Sequence, residues 1–299
     1  MTECPLPTDG NRRAWCTAAW RALLGVAIVL LGPLSALTEV PKPKANTMNL
    51  AFVLLSVPAL PKGEDVERAF AAYAAKGQTL RLSPSKAKKG GGETLEFDTL
   101  GGGYALVSLM PAPVPNREAD EAARYSVSAL GGQWKLPLHK AHLVVVSQGG
   151  GSPLESLGAF TSILAAVVEA SSAVGVYCGN AGATHDPKFF RELAREHDVR
   201  SRLPLWSGVS IAGEPDGRLS LLSLGMKRLE LPDLLLVAPG RKADEALPML
   251  YDLLAYVVAR GRPLADGDTV GRSAAEKLPV HYVPSPADPK VKVWRVELK

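Results

Sequence analysis

A thiol and an imidazole lie seven positions apart in GVYCGNAGATHDPKFFREL, Gly175 to Leu193. Cys178 closes a short apolar run, His185 and Asp186 follow, and Pro187 opens a helical stretch. A cysteine at a strand end near a helix N-terminus can have a lowered pKa, and a nearby histidine can take its proton. Such a pair attacks carbonyl or phosphoryl carbon and phosphorus in hydrolysis or group transfer. A phosphatase-type cysteine loop would need Arg six positions on, where this chain has Thr184. A structural reading accounts for the same residues. Cysteine is common in buried strands. Asp186 before Pro187 starts a helix, a cap worth about 1 kcal/mol. Gly179 and Gly182 permit a sharp turn. The stretch reads as a strand-to-helix turn first and a small-ligand site second.

A second loop bears on the same place. HLVVVSQ, His142 to Gln148, is a buried strand, and Ser152, Pro153 and Glu155 form a capping box with proline at the first helical position. Strand, helix and strand then run from His142 to Cys178, a crossover that joins parallel strands. With these strands as neighbours, SQGGGS and CGNAGATHD leave the carboxyl edge of one sheet, where open α/β sheets bind ligands. Each loop precedes a helix N-terminus, which favours anions. Gln148, Ser152, Asn180, Thr184 and His185 are therefore the candidate ligands of a small anion. No Walker lysine is present, so a nucleotide is not indicated.

Metal chemistry finds little support. Asp266 and Asp268 in LADGDTVG could share a cation, but two carboxylates do not make a calcium loop, and Asp-Gly is turn chemistry. His139 and His142 form H-x-x-H, yet His142 begins a strand and the two side chains need not converge. His185 has no His or Cys partner at a ligand spacing. His197 shares a helix face with Phe190, Leu193 and Ala194, where packing or a helix-end charge suffices. No cofactor is implied.

These residues sit in alternating elements. LAFVLLSV (Leu50–Val57) is a buried strand. GEDVERAFAAYAAKG is a helix with Val66, Ala69, Phe70, Tyr73 and Ala74 on one stripe, closed by Lys76 and Gly77. TLRLS, TLEFDTL and YALVSLM read as strands, with Gly90–Gly92 and Gly101–Gly103 as turns, and Asn116 can cap a helix over READEAARYSVSAL. Without the short TLRLS, the order is the β-α-β-β-α-β of ferredoxin-like folds. Later come a hairpin of LPLWSGVSIAG and GRLSLLSLG around EPDG, the strand PDLLLVAP, the helix ADEALPMLYDLLAYVVARG, and the strands PVHYVP and VKVWRVEL. Pro248 must lie near that helix's first turn or kink it. The expected class is α+β or mixed α/β, with split βαβ units around a mixed sheet. A duplication of the first half in the second stays open, since no repeat marks it.

Bulk composition narrows the function classes. The chain has 299 residues, 46% hydrophobic, with net charge +4. Residues 1–47 hold five basic and three acidic residues, so the remainder carries +2, too near neutral for a nucleic-acid surface. The basic cluster Lys86, Lys88 and Lys89 adjoins Gly90–Gly92 and reads as a solvated loop. Three cysteines make no disulfide framework. Arginines 12, 13 and 21 precede the apolar run ALLGVAIVLL, Ala22–Leu31, then Gly32, Pro33 and LSALT. That is a secretory-signal pattern. Extended to Leu37 the run has 16 residues, just short of the roughly 17–25 that span a bilayer. Export or anchoring through 22–37 would place the protein in the cell envelope. Alternatively translation starts at Met48 and the protein is cytoplasmic. VPKPKANT (40–47) is linker. The expected organisation is 1–47 as signal, anchor or mis-assigned start, 48–148 as a first α+β half, and 149–299 as a second half packed on it.

GVYCGNAGATHDPKFFREL, LPLW, the late helix and DGDTVG together resemble the bacterial domain of unknown function 4261 family (DUF4261), over about Val174 to Leu298. Met48–Leu60 is similar to the usual family start, which favours Met48 as a true start. In that family Trp often stands in place of Cys178, which argues against a catalytic thiol. The resemblance implies no assigned reaction. The expected function is a non-catalytic binding or interaction protein, a regulatory or protective partner of another protein. The alternative is a hydrolase or transferase using Cys178 and His185 on a small anionic ligand.

Overall fold

A computed structural model of the chain describes residues 48–83, 94–99, 102–149, 151–214, 217–271 and 276–299. The signal or anchor segment, the Lys86–Lys89 cluster with Gly90–Gly92, and the centre of EPDG lie outside the described residues.

The fold is α+β with two sheets. The first has seven strands, β1 (Met48–Leu55), β2 (Leu80–Leu82), β3 (Thr94–Thr99), β4 (Tyr104–Met110), β5 (Ala141–Gln148), β6 (Ala173–Cys178) and β7 (Ala183–His185), in the order β2-β3-β4-β5-β1-β6-β7. The second has six, β8 (Gly208–Gly213), β9 (Leu219–Leu224), β10 (Leu234–Ala238), β11 (Thr269–Val270), β12 (Leu278–Pro284) and β13 (Lys292–Glu297), in the order β11-β12-β13-β10-β9-β8. Strands from both sides of residue 148 share the first sheet.

Helix α3 (Pro153–Glu169) anchors the layer between the sheets. Its capping box forms as the sequence dictates, with the Ser152 side chain accepting from Glu155 N and Glu155 accepting from Ser152 N. α3 packs against α1 (Gly63–Phe70), α4 (Pro187–Ala194) and β1. α5 (Val199–Trp206) packs on α6 (Ala243–Arg260), which covers β9 and β10. One core joins these helices to the inner faces of both sheets, from Val53 and Val145 to Leu236 and Trp294. The alternation of β1 sends Ala51, Val53 and Leu55 into this core and Phe52 and Leu54 to the outer face.

On that outer face the 111–139 segment covers only one end, where Leu54, Val114 and Ala119 pack together. At the other end β4, β5 and β1 bring two rows into register, Tyr104–Gln148–Met48 and Leu106–Val146–Leu50. Met48 is 62% exposed, Tyr104 39% and Leu50 38%.

Several expectations are corrected. The helix expected over READEAARYSVSAL is only α2 (Glu118–Ala122) flanked by 3-10 turns. Asn116 and Arg117 both take left-handed φ, 55° and 56°, so Asn116 reverses the chain instead of capping a helix. Downstream, the Ser126 side chain accepts from Ser128 N, offering the backbone a local alternative to the helix. LPLW ends α5 and is not a strand. α1 stops at Phe70. His197 lies beyond the end of α4.

Candidate functional site

β5 and β6 do run in the same direction, because each pairs antiparallel with β1. They are not neighbours: β1 lies between them, so the loops that leave them share one rim but stand two strand spacings apart, on the order of 10 Å. The quoted stretch also folds back on itself. After a 3-10 turn at Gly179–Ala181, Ala183–His185 returns antiparallel along β6 as β7, with Cys178 opposite Ala183 and Val176 opposite His185. The turn tip with Asn180 therefore stays at the rim, whereas His185 and the start of α4 are carried away from it.

The five candidate anion ligands separate accordingly. Gln148 and Ser152 lie at the end of β5 and the start of α3, and Asn180 is exposed at the tip after β6. Thr184 and His185 point to opposite faces of β7. The Gln148 Oε1 accepts from Tyr104 OH at 2.7 Å. Thr184 Oγ1 donates to the Ala119 carbonyl at 2.6 Å on the outer face. The two helix N-termini already hold carboxylates. Glu155 Oε2 accepts from Ser152 N at 2.8 Å, and this contact holds its carboxyl below the usual range. Asp186 Oδ1 accepts from Lys188 N at 3.1 Å.

Cys178 and His185 both face the helix layer, and both are sealed. His185 has no exposure and Cys178 has 3%. Burial pushes the thiol up to about 12, with the Arg228 charge pulling weakly the other way. Burial pushes His185 down to about 4. Both groups are thus held neutral, the opposite of a thiolate–imidazolium pair. The partner of His185 is a residue that the sequence did not single out. Ser126 Oγ lies 2.7 Å from His185 Nδ1, while among the described residues Nε2 is buried without a hydrogen-bond partner. With the proton on Nε2, Ser126 donates to Nδ1, the arrangement of a hydroxyl and its base. Ser126 is itself fully buried, and its neighbour Ser128 accepts from Asp186 N at 3.0 Å. This network pins the 3-10 turns to β7.

A different polar group occupies the rim between β5 and β6, on the helix side. Arg228 stands in a 3-10 turn (Met226–Leu229) that links β9 to β10. Its Nη2 donates to Asn49 Oδ1 at 3.0 Å, and Asn49 Nδ2 donates to Ser156 Oγ at 2.8 Å. Gly225, with φ 102°, lets this turn press on the β6–β7 tip. Asp233 holds the turn from within by accepting from Met226 N at 3.0 Å and Ser223 Oγ at 3.1 Å. Burial raises the Asp233 carboxyl above its ordinary range, against those hydrogen bonds. Sequence reasoning missed Arg228, Asn49 and Ser156. They come from three distant segments, and the sole local signal was glycine before a short polar run.

Residues 222–297 match the family described as Domain of unknown function (DUF4261). The match covers about a quarter of the chain, from within β9 to the end of β13. No curated protein and no solved structure matches the chain. The DUF4261 segment contains the late helix and DGDTVG, and it contains Arg228 and Asp233. The stretch Gly175–Leu193 precedes it.

Within the DUF4261 segment, Asp266 and Asp268 serve the backbone. Asp266 Oδ1 accepts from Tyr282 N at 2.9 Å, and Asp268 Oδ2 accepts from Ala265 N at 2.8 Å. Among the described residues no group of three or more His, Cys, Asp or Glu could hold a metal ion. His139 Nε2 accepts from Val114 N at 3.1 Å, and His142 Nδ1 donates to the Ala112 carbonyl at 2.8 Å. The H-x-x-H pair thus ties the 112–114 segment to the outer face. His197 Nδ1 accepts from Arg202 at 3.0 Å. Among the described residues no helix is long and apolar enough to cross a membrane.

Proposed function

We propose that the chain is a non-catalytic binding protein that acts by holding another protein. The observation that carries this reading is the sealing of Cys178 and His185 in neutral form at the strand-to-helix turn. A nucleophile must reach its substrate and be deprotonated, and neither condition is met at this site.

The end of the first sheet's outer face that is uncovered among the described residues supplies the contact surface. Its two rows, apolar except for Gln148, cross three strands, a width of about 10 Å, which fits one helix or one extended segment and falls well short of a broad subunit face. Glu96 and Asp98 on β3 flank the rows, opposite Leu106 and Tyr104. The partner therefore presents an apolar segment flanked by basic residues, as in groove and sheet-face recognition of short elements. A protein of this kind regulates or shields the partner that carries the segment.

The test uses the full chain as bait and compares it with a Leu50→Ser/Tyr104→Ser variant. A partner bound by the wild type and lost by the folded variant supports the reading. A turnover that disappears in Cys178→Ser overturns it.

A further inference from the structure

Arg228 is placed in an unusual electrostatic position. It is half-buried, and among the described residues its one hydrogen bond goes to the neutral side chain of Asn49. Among the described residues no carboxylate pairs with it, and burial lowers its pKa with only the nearby Cys178 thiol acting in the opposite sense. Removing a guanidinium from water without a counter-charge is costly.

Arg202 shows how this fold treats an arginine of purely structural use. It is 3% exposed and spends its N–H groups on the carbonyls of Glu196, Gly158 and Ala194 and on His197 Nδ1. That fork is filled. The Arg228 fork has one tine filled, and its remaining N–H groups are not among the sealed, unpartnered atoms of the structure.

A second observation points to the same place independently. Ser147 lies directly opposite Asn49 in the β1–β5 ladder and faces the helix layer with it. It is 7% exposed, and among the described residues its hydroxyl makes no hydrogen bond. Like the remaining N–H groups of Arg228, this hydroxyl is not among the sealed, unpartnered atoms of the structure, so a ligand can reach it. An unpaired cation and an unpaired hydroxyl thus flank one asparagine.

We infer that this junction binds a small oxyanion of phosphate or carboxylate type, held by the free edge of the Arg228 guanidinium and the Ser147 hydroxyl. A planar guanidinium matches two oxygens of such an anion, and the hydroxyl supplies a third donor. The site is on the helix side of the sheet, so it is independent of the outer apolar rows. It sits where the turn that links β9 to β10 meets α3 and Asn49 of β1, so the anion would fasten that turn to the first sheet. It differs from the cradle expected from sequence, whose helix N-termini are filled by Glu155 and Asp186.

The test is a titration of the full chain with sodium phosphate and, separately, sodium acetate at ionic strength held constant with sodium chloride. Calorimetry and the thermal midpoint are both read. A saturable response to phosphate, to acetate or to both supports the site, and the pattern identifies which oxyanion it prefers. Arg228→Gln should abolish the response, and Ser147→Ala should weaken it by about tenfold. Absence of a saturable response to either anion overturns the inference, as does a full response in folded Arg228→Gln. If Arg228→Gln fails to fold, Arg228→Lys decides. It keeps the charge and loses the fork, and binding should fall several-fold. Unchanged binding overturns the inference.

Discussion

Arg228 Nη2 donates to Asn49 Oδ1 at 3.0 Å, across 179 positions of sequence and across the junction of the two sheets. Asn49 passes the contact on to Ser156 in α3, so one side chain joins the first strand, the central helix and the DUF4261 segment. Replacing it removes both of these hydrogen bonds. Asn49→Leu should therefore cost about 1–3 kcal/mol in urea unfolding. Asn49→Asp keeps the shape and gives Arg228 a counter-charge, so it should lose about 1 kcal/mol or less. Equal losses in both variants would mean that packing around Asn49, and not the hydrogen bonds, sets its worth.

Cys178 should resist alkylation. With the thiol 3% exposed and pushed up to about 12, little thiolate is present at pH 8 and less is reachable. Iodoacetamide on the native chain should leave the Cys178 peptide unmodified by mass spectrometry, and the same reagent in denaturant should modify it. Rapid native labelling would contradict the sealed site.

His185 contributes to the acid limb of stability. Its folded pKa is pushed down to about 4 from the ordinary 6.5. Between those values the unfolded chain binds a proton that the native protein does not, so stability rises with pH there. The contribution is complete above about pH 6.5 and falls as pH drops toward 4, by up to about 3 kcal/mol. Urea midpoints at pH 7, 5 and 4 should show this fall in the wild type and a flatter profile in His185→Gln. Cys178 acts at the other end. Its folded pKa is raised from 9.0 to about 12, so its contribution is complete below pH 9 and is lost as pH rises toward 12. Cys178→Ala should flatten that alkaline limb alone.

The elements were largely legible in the sequence because local signals specify them. The Ser152–Glu155 box, Pro187 after Asp186 and the apolar runs of β1, β5 and β10 each act within a few residues, and each formed. The direction of β5 and β6 was legible too, since a crossover helix makes the strands parallel. Their spacing was not. Insertion of β1 between them is a long-range pairing that no local pattern encodes, and it pulls the two loops apart. β7 was missed because three residues, ATH, carry too short an alternation to be read as a strand. Ser126 and Arg228 were missed for a related reason. Each gains its partner from a distant segment, 59 positions away for Ser126 and 179 for Arg228.

Gly225 offers the sharpest test of how the DUF4261 segment docks on the first sheet. Its φ of 102° lies where side chains are disfavoured, and a Cβ built there would stand 2.4 Å from the Asn180 carbonyl oxygen and 2.7 Å from Ala181 Cα. Both neighbours are backbone, so neither can swing aside. Gly225→Ala must distort the turn or lift it from the β6–β7 tip, moving Arg228 with it. The expected cost is about 2–5 kcal/mol, combining backbone strain with overpacking. Gly240 is the control: its φ of 64° is also left-handed, but nothing lies within 4 Å of its added Cβ. Gly240→Ala should cost only the strain, about 1–2 kcal/mol. Urea unfolding of the two variants separates the terms. If Gly225→Ala is no worse than Gly240→Ala, the close approach of turn and tip does not hold in solution. The placement of Arg228 beside Asn49 and Ser147 would then lose its support.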